Sequence, residues 1–183
     1  MDRLQKRKSH IRYGEKATKK INHLKNTPKL FISTAEAQKK LEYYCSYQER
    51  CHSEVIKKLQ QLGIPQNQVD EIVVYLIQEN FLNEERFARS FARGKHRISF
   101  WGKNRILAEL KFRNISSYNI KKAMEELPDE LYYDTFEKIS VYKWESTTDK
   151  NPLNKKKKVM DYLYRKGYES DMIYSKIQEL DRV

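Results

Sequence analysis

Arg86, Arg89, Arg93 and Arg97 recur at intervals of three and four residues. At about 100° per residue, that spacing lines them along one narrow ridge of a helix. Arginine carries a planar fork of donors suited to phosphate or carboxylate, so the ridge reads as a surface for binding an anionic partner or nucleic acid. Lys95 and His96 extend the patch, and Lys103, Arg105, Lys111 and Arg113 add charge on the segment that follows. Four like charges on one ridge repel one another and cost stability unless something anionic meets them. A solvated basic face is the plainer alternative. Phe87 and Phe91 lie roughly 100–140° around the helix from the ridge and are expected to face a core. Lys155, Lys156, Lys157 and Lys158 form a secondary basic patch where a helix should begin. Cations are slightly unfavourable at that end of the helix dipole, which makes the run a weaker sign of anion contact.

Other residues with chemical potential lead less far. Phe100 and Trp101 adjoin the ridge and could stack on unpaired bases, although core packing is the simpler use. Of the 13 tyrosines, Tyr75, Tyr118, Tyr132 and Tyr174 are expected to pack with a wet hydroxyl. Cys45, Cys51 and His52 stand close together, but a zinc site needs four ligands and no second Cys/His cluster exists; His10, His23 and His96 are scattered. Buried thiols and no metal are expected. The sequence contains no Walker loop, dinucleotide fingerprint, nucleophile elbow or His-rich hydrolase motif. Glu84 and Glu85 read as first-turn acids that favour the helix dipole. No catalytic residue and no cofactor is expected, and the chain does not read as an enzyme.

The charge distribution supports the emphasis on the ridge. The chain has 183 residues and a net charge of +12. Residues 1–30 hold 10 Lys/Arg against 2 Asp/Glu, and residues 86–113 hold 9 against 1. Residues 31–85 carry a net −4, and residues 114–183 balance. The excess therefore sits in an N-terminal arm and a central block, which suits nucleic acid or an acidic protein surface. No apolar run approaches the roughly 20 residues of a membrane helix, and no secretory signal is visible. Two cysteines, five glycines and four prolines argue for a reducing cytoplasm and against disulfide frameworks and most β architectures.

The elements that must position the ridge are helical. Ser33 with Glu36 fits a capping box, and Asn67 and Asn83 stand where helix N-caps are wanted. An internal repeat organises the rest. Leu59, Leu110 and Leu163 superpose at spacings of 51 and 53, followed four residues on by Gly63, Asn114 and Gly167. Glycine and asparagine tolerate the left-handed conformation that ends a helix. Ile64, Ile115 and Tyr168 come next and can fold back on the last turn. Val69, Ile120 and Ile173 continue the match, then Val73, Met124 and Ile177, then Leu76, Leu127 and Leu180. Each unit reads as helix, tight turn, helix, with a further helix before it at Thr34–Gln48, Glu84–Ile98 and Glu130–Trp144. The expected architecture is all-α: three tandem three-helix units, similar to helix-turn-helix modules, in an elongated, curved array. Residues 1–32 would be a basic, flexible arm, and the units would span 33–80, 81–128 and 129–183. The polar stretch 145–154 is expected to be a loop with some play.

FLNEERFARSFARGKHR at 81–97, followed by WGKNRILAEL at 101–110, closely resembles the signature of RecX regulatory proteins. EVIKKLQQLGI at 54–64 and DYLYRKGYESDMI at 161–173 fit the flanking units, so the resemblance covers about residues 34–181. Asn114 departs from the family's usual glycine, a substitution that this backbone position tolerates, and the basic arm is an addition. The resemblance implies tandem three-helix units that bind the recombinase RecA and its filament on single-stranded DNA. It also implies inhibition of RecA's ATP hydrolysis, filament extension and strand exchange, and so a modulator of recombination, DNA repair and the SOS response. Arg86, Arg89, Arg93, Lys95, Arg97, Lys103 and Arg105 are the expected contacts. Weak, sequence-independent DNA binding would accompany them, in a cytoplasmic protein expected to be a monomer. The alternative is a helix-turn-helix-like protein that binds DNA directly, without RecA.

Overall fold

The computed structural model describes residues 32–182. Among these residues there are nine helices and no strand. They run as α1 (Thr34–Tyr47), α2 (His52–Gln61), α3 (Gln66–Gln78), α4 (Glu84–Ser99), α5 (Lys103–Phe112), α6 (Ser117–Met124), α7 (Asp129–Ser146), α8 (Pro152–Lys166) and α9 (Ser170–Leu180). The basic arm expected over residues 1–32 lies, except for Ile32, outside the described residues.

Local chemistry sets most helix starts. At α1 the Ser33 hydroxyl accepts from the Glu36 N–H, and the Glu36 carboxylate accepts from the Ser33 N–H at 3.0 Å. That exchange satisfies two donors that the helix leaves unpaired, as the S-x-x-E spacing predicts. At α4 the Asn83 side chain accepts from the Arg86 N–H at 2.9 Å. The expectation at Asn67 is corrected: the N-cap is Pro65, two residues earlier, whose ring fixes an extended-to-helix entry into Gln66 without a side-chain cap.

The repeat governs the helix ends. Gly63, Asn114 and Gly167 all take positive φ, at +79°, +58° and +91°. In each case the next residue donates its N–H back to the superposed leucine: Ile64 to Leu59, Ile115 to Leu110, Tyr168 to Leu163. This is a Schellman closure repeated three times, with a buried apolar side chain folded over the last turn each time. Leu59, Leu110 and Leu163 are fully buried.

Helices α1, α2 and α3 pack together, as do α4, α5 and α6, and then α7, α8 and α9. The middle core gathers Phe87, Ala92, Ile106, Leu110, Ile120 and Leu127, and Cys51 from the start of α2 joins it. The last core is aromatic, with Tyr132, Phe136 and Tyr168 around Leu163 and Ile173. The repeat also reaches the first helix of each of the first two groups. Ala37, Leu41 and Cys45 on α1 stand 51 residues before Ala88, Ala92 and His96 on α4, and all six are buried. The loop expected at 145–154 is shorter, because α7 continues to Ser146 and Pro152 opens α8. Proline suits that first helical position, where its missing N–H leaves no bond unmade.

Candidate anion-contact site

The ridge forms on α4, and most of it is neutralised within the chain. Arg86 pairs with Glu49 through Nε and donates to the Asn80 side chain and to the Asn80 and Phe81 carbonyls. Arg89 bridges Glu85, one turn back, at 2.8 Å and Glu126, beyond α6, at 2.7 Å. Arg93 takes the other oxygen of Glu126 at 2.7 Å. Hydrogen bonds from Arg93 and then Arg89 hold the Glu126 carboxyl below the usual range, and Glu85 and Glu126 in turn hold Arg89 firmly charged. The repulsion expected along the ridge is thus met by carboxylates of the same chain. Arg97 is exposed and makes no ion pair among the described residues.

Two of the three remaining cations of the expected set, Lys95 and Arg105, meet at Trp101. Lys95 lies 5.0 Å from that ring and 5.5 Å from Phe91, and the Arg105 guanidinium lies 4.0 Å from Trp101. Trp101 packs edge-on to Phe91, so the indole is a strut of the middle core that also carries two charges. Lys103 forms an ion pair with Asp129 at 2.9 Å, and its ammonium sits 4.4 Å from the Tyr132 ring. The structure therefore brings Arg89 to Arg93 and Lys95 to Arg105, and it turns Arg86 and Lys103 towards carboxylates.

His96 is corrected. It does not extend the patch but is 1% exposed, stacked on Tyr132 at 5.5 Å, with Nδ1 2.9 Å from the Trp101 carbonyl. Its place 51 residues after buried Cys45 was the signal in the sequence. Tyr132, expected to keep a wet hydroxyl, is also buried. Its oxygen accepts from the Lys103 N–H at 3.0 Å and its proton goes to Glu169 at 2.6 Å. Burial, helped by Glu169, pushes its phenol well above the usual range.

Sequence reasoning missed the joint beside these residues. The Gly102 N–H donates to the Lys166 carbonyl at 2.8 Å, and the Asn104 N–H to the Gly167 carbonyl at 3.1 Å. The free donors at the start of α5 thus meet the free acceptors at the end of α8. Arg105 adds a bond to the Arg165 carbonyl at 2.8 Å, and Lys166 one to the Ser99 carbonyl at 2.7 Å.

In the lysine run, Lys156 pairs with Asp181, Lys158 pairs with Asp149 at 2.7 Å, and Lys155 lies over Trp144 at 4.3 Å. Lys158, followed by the Asn151 N–H, holds Asp149 low. Lys157 is exposed and makes no ion pair among the described residues. Cys45 and Cys51 are buried free thiols, and burial pushes Cys45 up to about 11. Among the described residues, no helix is long and apolar enough to cross a membrane, and no three His, Cys, Asp or Glu side chains group as a metal site would require.

Comparison with known proteins agrees with this architecture. The model of the second three-helix domain of RecX matches residues 83–124, and that of the third matches residues 130–177. Regulatory protein RecX of Oceanobacillus iheyensis is 27% identical over 139 residues, 76% of this chain and 51% of that protein. Regulatory protein RecX of Streptococcus agalactiae is 29% identical over 140 residues, 76% of this chain and 53% of that protein. The chain thus spans about half the length of the curated relatives it matches. The crystal structure of RecX from Lactobacillus salivarius superposes with a TM-score of 0.68 at 27% identity, covering 82% of this chain and 97% of that one. A second crystal structure, of a regulatory protein RecX, superposes with a TM-score of 0.71 at 23% identity, covering 80% and 73%, and shares the fold. With its second and third three-helix domains matched and its basic face carried on the first of them, the chain belongs to the RecX family of regulatory proteins.

Proposed function

We infer that this protein is a cytoplasmic regulator, not a catalyst, that binds RecA and its filament on single-stranded DNA. In this reading it lowers RecA's ATP hydrolysis, filament extension and strand exchange, and so modulates recombination and repair. The observation that carries the reading is the match of two RecX three-helix domains across α4–α9, the helices that bear the basic face. The three-helix units, 33–80, 81–128 and 129–183, would lie across neighbouring RecA protomers. Arg93, Lys95, Arg97 and Arg105 would supply the contact charge, while Arg86, Arg89 and Lys103 would hold the face in shape through their own carboxylates. Lys157, with its neighbours in the 155–158 run, would be a secondary contact. A bound protein would block protomer addition or the motions that accompany ATP turnover.

The test is DNA-dependent ATP hydrolysis by RecA with this protein titrated in below RecA's concentration. Substoichiometric inhibition is expected. Arg97→Glu reverses a charge that has no partner to lose among the described residues, so it should require roughly tenfold more protein for equal inhibition, with helicity unchanged. Undiminished hydrolysis, together with a preference of roughly 10³-fold for one duplex sequence, would instead identify a direct DNA binder.

A further inference from the structure

α1 carries an aromatic pair that the core does not use. Tyr43 and Tyr47 are 73% and 75% exposed, and their rings lie near parallel, 23° apart, with centroids at 6.4 Å. Tyr44, between them, behaves differently: it is half-buried, with the Arg50 guanidinium 3.9 Å from its ring. Leu41 and Cys45 face the core on the opposite side of the helix. At about 100° per residue, Lys39 and Lys40 fall to either side of the Tyr43–Tyr47 stripe, and both are exposed. Glu36 shares the stripe at its start but is engaged with Ser33, and Glu42 is turned away to Gln38.

Two tyrosines left in water forgo the burial that large aromatic rings normally bring. Parallel planes flanked by ammonium groups match one class of ligand well. Every base of an unpaired strand has a π-face that stacks on an aromatic ring whatever its sequence, and its phosphates attract the lysines. A duplex keeps those faces inside. In the repeat, Tyr43 and Tyr47 stand 51 residues before Gly94 and Ile98, so they hold on α1 the register that on α4 lies beside Arg93 and Arg97.

We propose that Tyr43 and Tyr47, with Lys39 and Lys40, form a stacking platform for unpaired bases of single-stranded nucleic acid. This contact is with the strand itself and does not require RecA, so it stands or falls separately from regulation of the recombinase.

Fluorescence anisotropy of a labelled oligothymidylate, titrated with the full chain at about 0.15 M salt to limit bare phosphate attraction, tests it. Replacing both rings, Tyr43→Ala with Tyr47→Ala, should weaken binding about tenfold or more. Tyr43→Phe with Tyr47→Phe keeps both π-faces and should stay within about twofold. An abasic strand of equal length should bind the unaltered protein as weakly as oligothymidylate binds the alanine pair. Circular dichroism confirms that α1 is intact in each variant. Equal binding by the alanine pair, equal loss in both pairs, or undiminished binding of the abasic strand would overturn the platform. So would loss of RecA inhibition by the alanine pair with strand binding unchanged, which would make this face a protein-docking surface.

Discussion

α4 is latched by side-chain charge, whereas the start of α5 is held backbone to backbone. Along α4, Arg86, Arg89 and Arg93 reach Glu49, Glu85 and Glu126 through long, partly exposed side chains. At α5, the Gly102 and Asn104 N–H groups meet the Lys166 and Gly167 carbonyls, with Tyr132 wedged against Lys103 and Glu169. A charge latch can open at modest cost, responds to salt, and leaves its arginines able to exchange a carboxylate for another anion. A joint between helix ends has no such freedom, because each donor and acceptor is fixed by its helix and would otherwise be unpaired. The middle group is therefore adaptable on the α4 side and fixed where it meets α8.

The largest expected effect breaks the fixed joint. Gly63 and Gly167 occupy the same place in the repeat, and both have positive φ. A Cβ at Gly63 would meet nothing, whereas one at Gly167 would overlap the Arg105 backbone and Cβ. Gly63→Ala should therefore lose only the backbone preference, about 1–2 kcal/mol. Gly167→Ala adds the collision and should lose about 3 kcal/mol or more, with α5 and α8 driven apart. Urea unfolding of the two variants measures the difference, and equal losses would mean that the joint yields easily.

A smaller effect is expected on the charge side. Arg86→Ala leaves Glu49 without its cation, and the second Glu49 oxygen is already buried without a partner. The loss should be about 1–2 kcal/mol at low salt, since the pair is partly solvated, and should shrink as salt rises. The Gly167→Ala loss should be independent of salt. Urea titrations at low and high ionic strength compare the two directly, and a salt-independent Arg86→Ala loss would place α4 in the same class as α5.

What the sequence shows and hides follows from the range of each interaction. The Ser33–Glu36 box, the Asn83 cap and the three Schellman turns involve partners within a few residues, so spacing alone is enough to read them. The ridge arginines were legible as a face, but their partners were not. Glu49 and Glu126 lie about 37 residues from Arg86 and Arg89, and no periodicity links them. His96 stood near the ridge on the helical wheel and looked like part of it. Only its register with Cys45 marks it as core. The α5–α8 joint is least visible, because it is made of main-chain groups that every residue possesses.

The smallest effect separates the two sides by pH. Arg93 and Arg89 hold the Glu126 carboxyl below its ordinary value of 4.5. A group with a lowered folded value adds stability above its unfolded value and loses it as pH falls through the folded one. Glu126 should therefore support the fold fully above about pH 5 and give up that support below 4.5, by about 1 kcal/mol or less in so solvated a cluster. Glu126→Gln removes the titration but keeps the side chain's size. The stability gap between the unaltered protein and this variant should be constant from about pH 7 to 5 and should close on further acidification. Asp149 and Glu36 are also held low, but both titrate identically in the two proteins and cancel in the difference. Thermal melts at stepped pH follow the gap. A gap that persisted at acid pH would show that Glu126 acts by packing and that the α4 latch is not electrostatic.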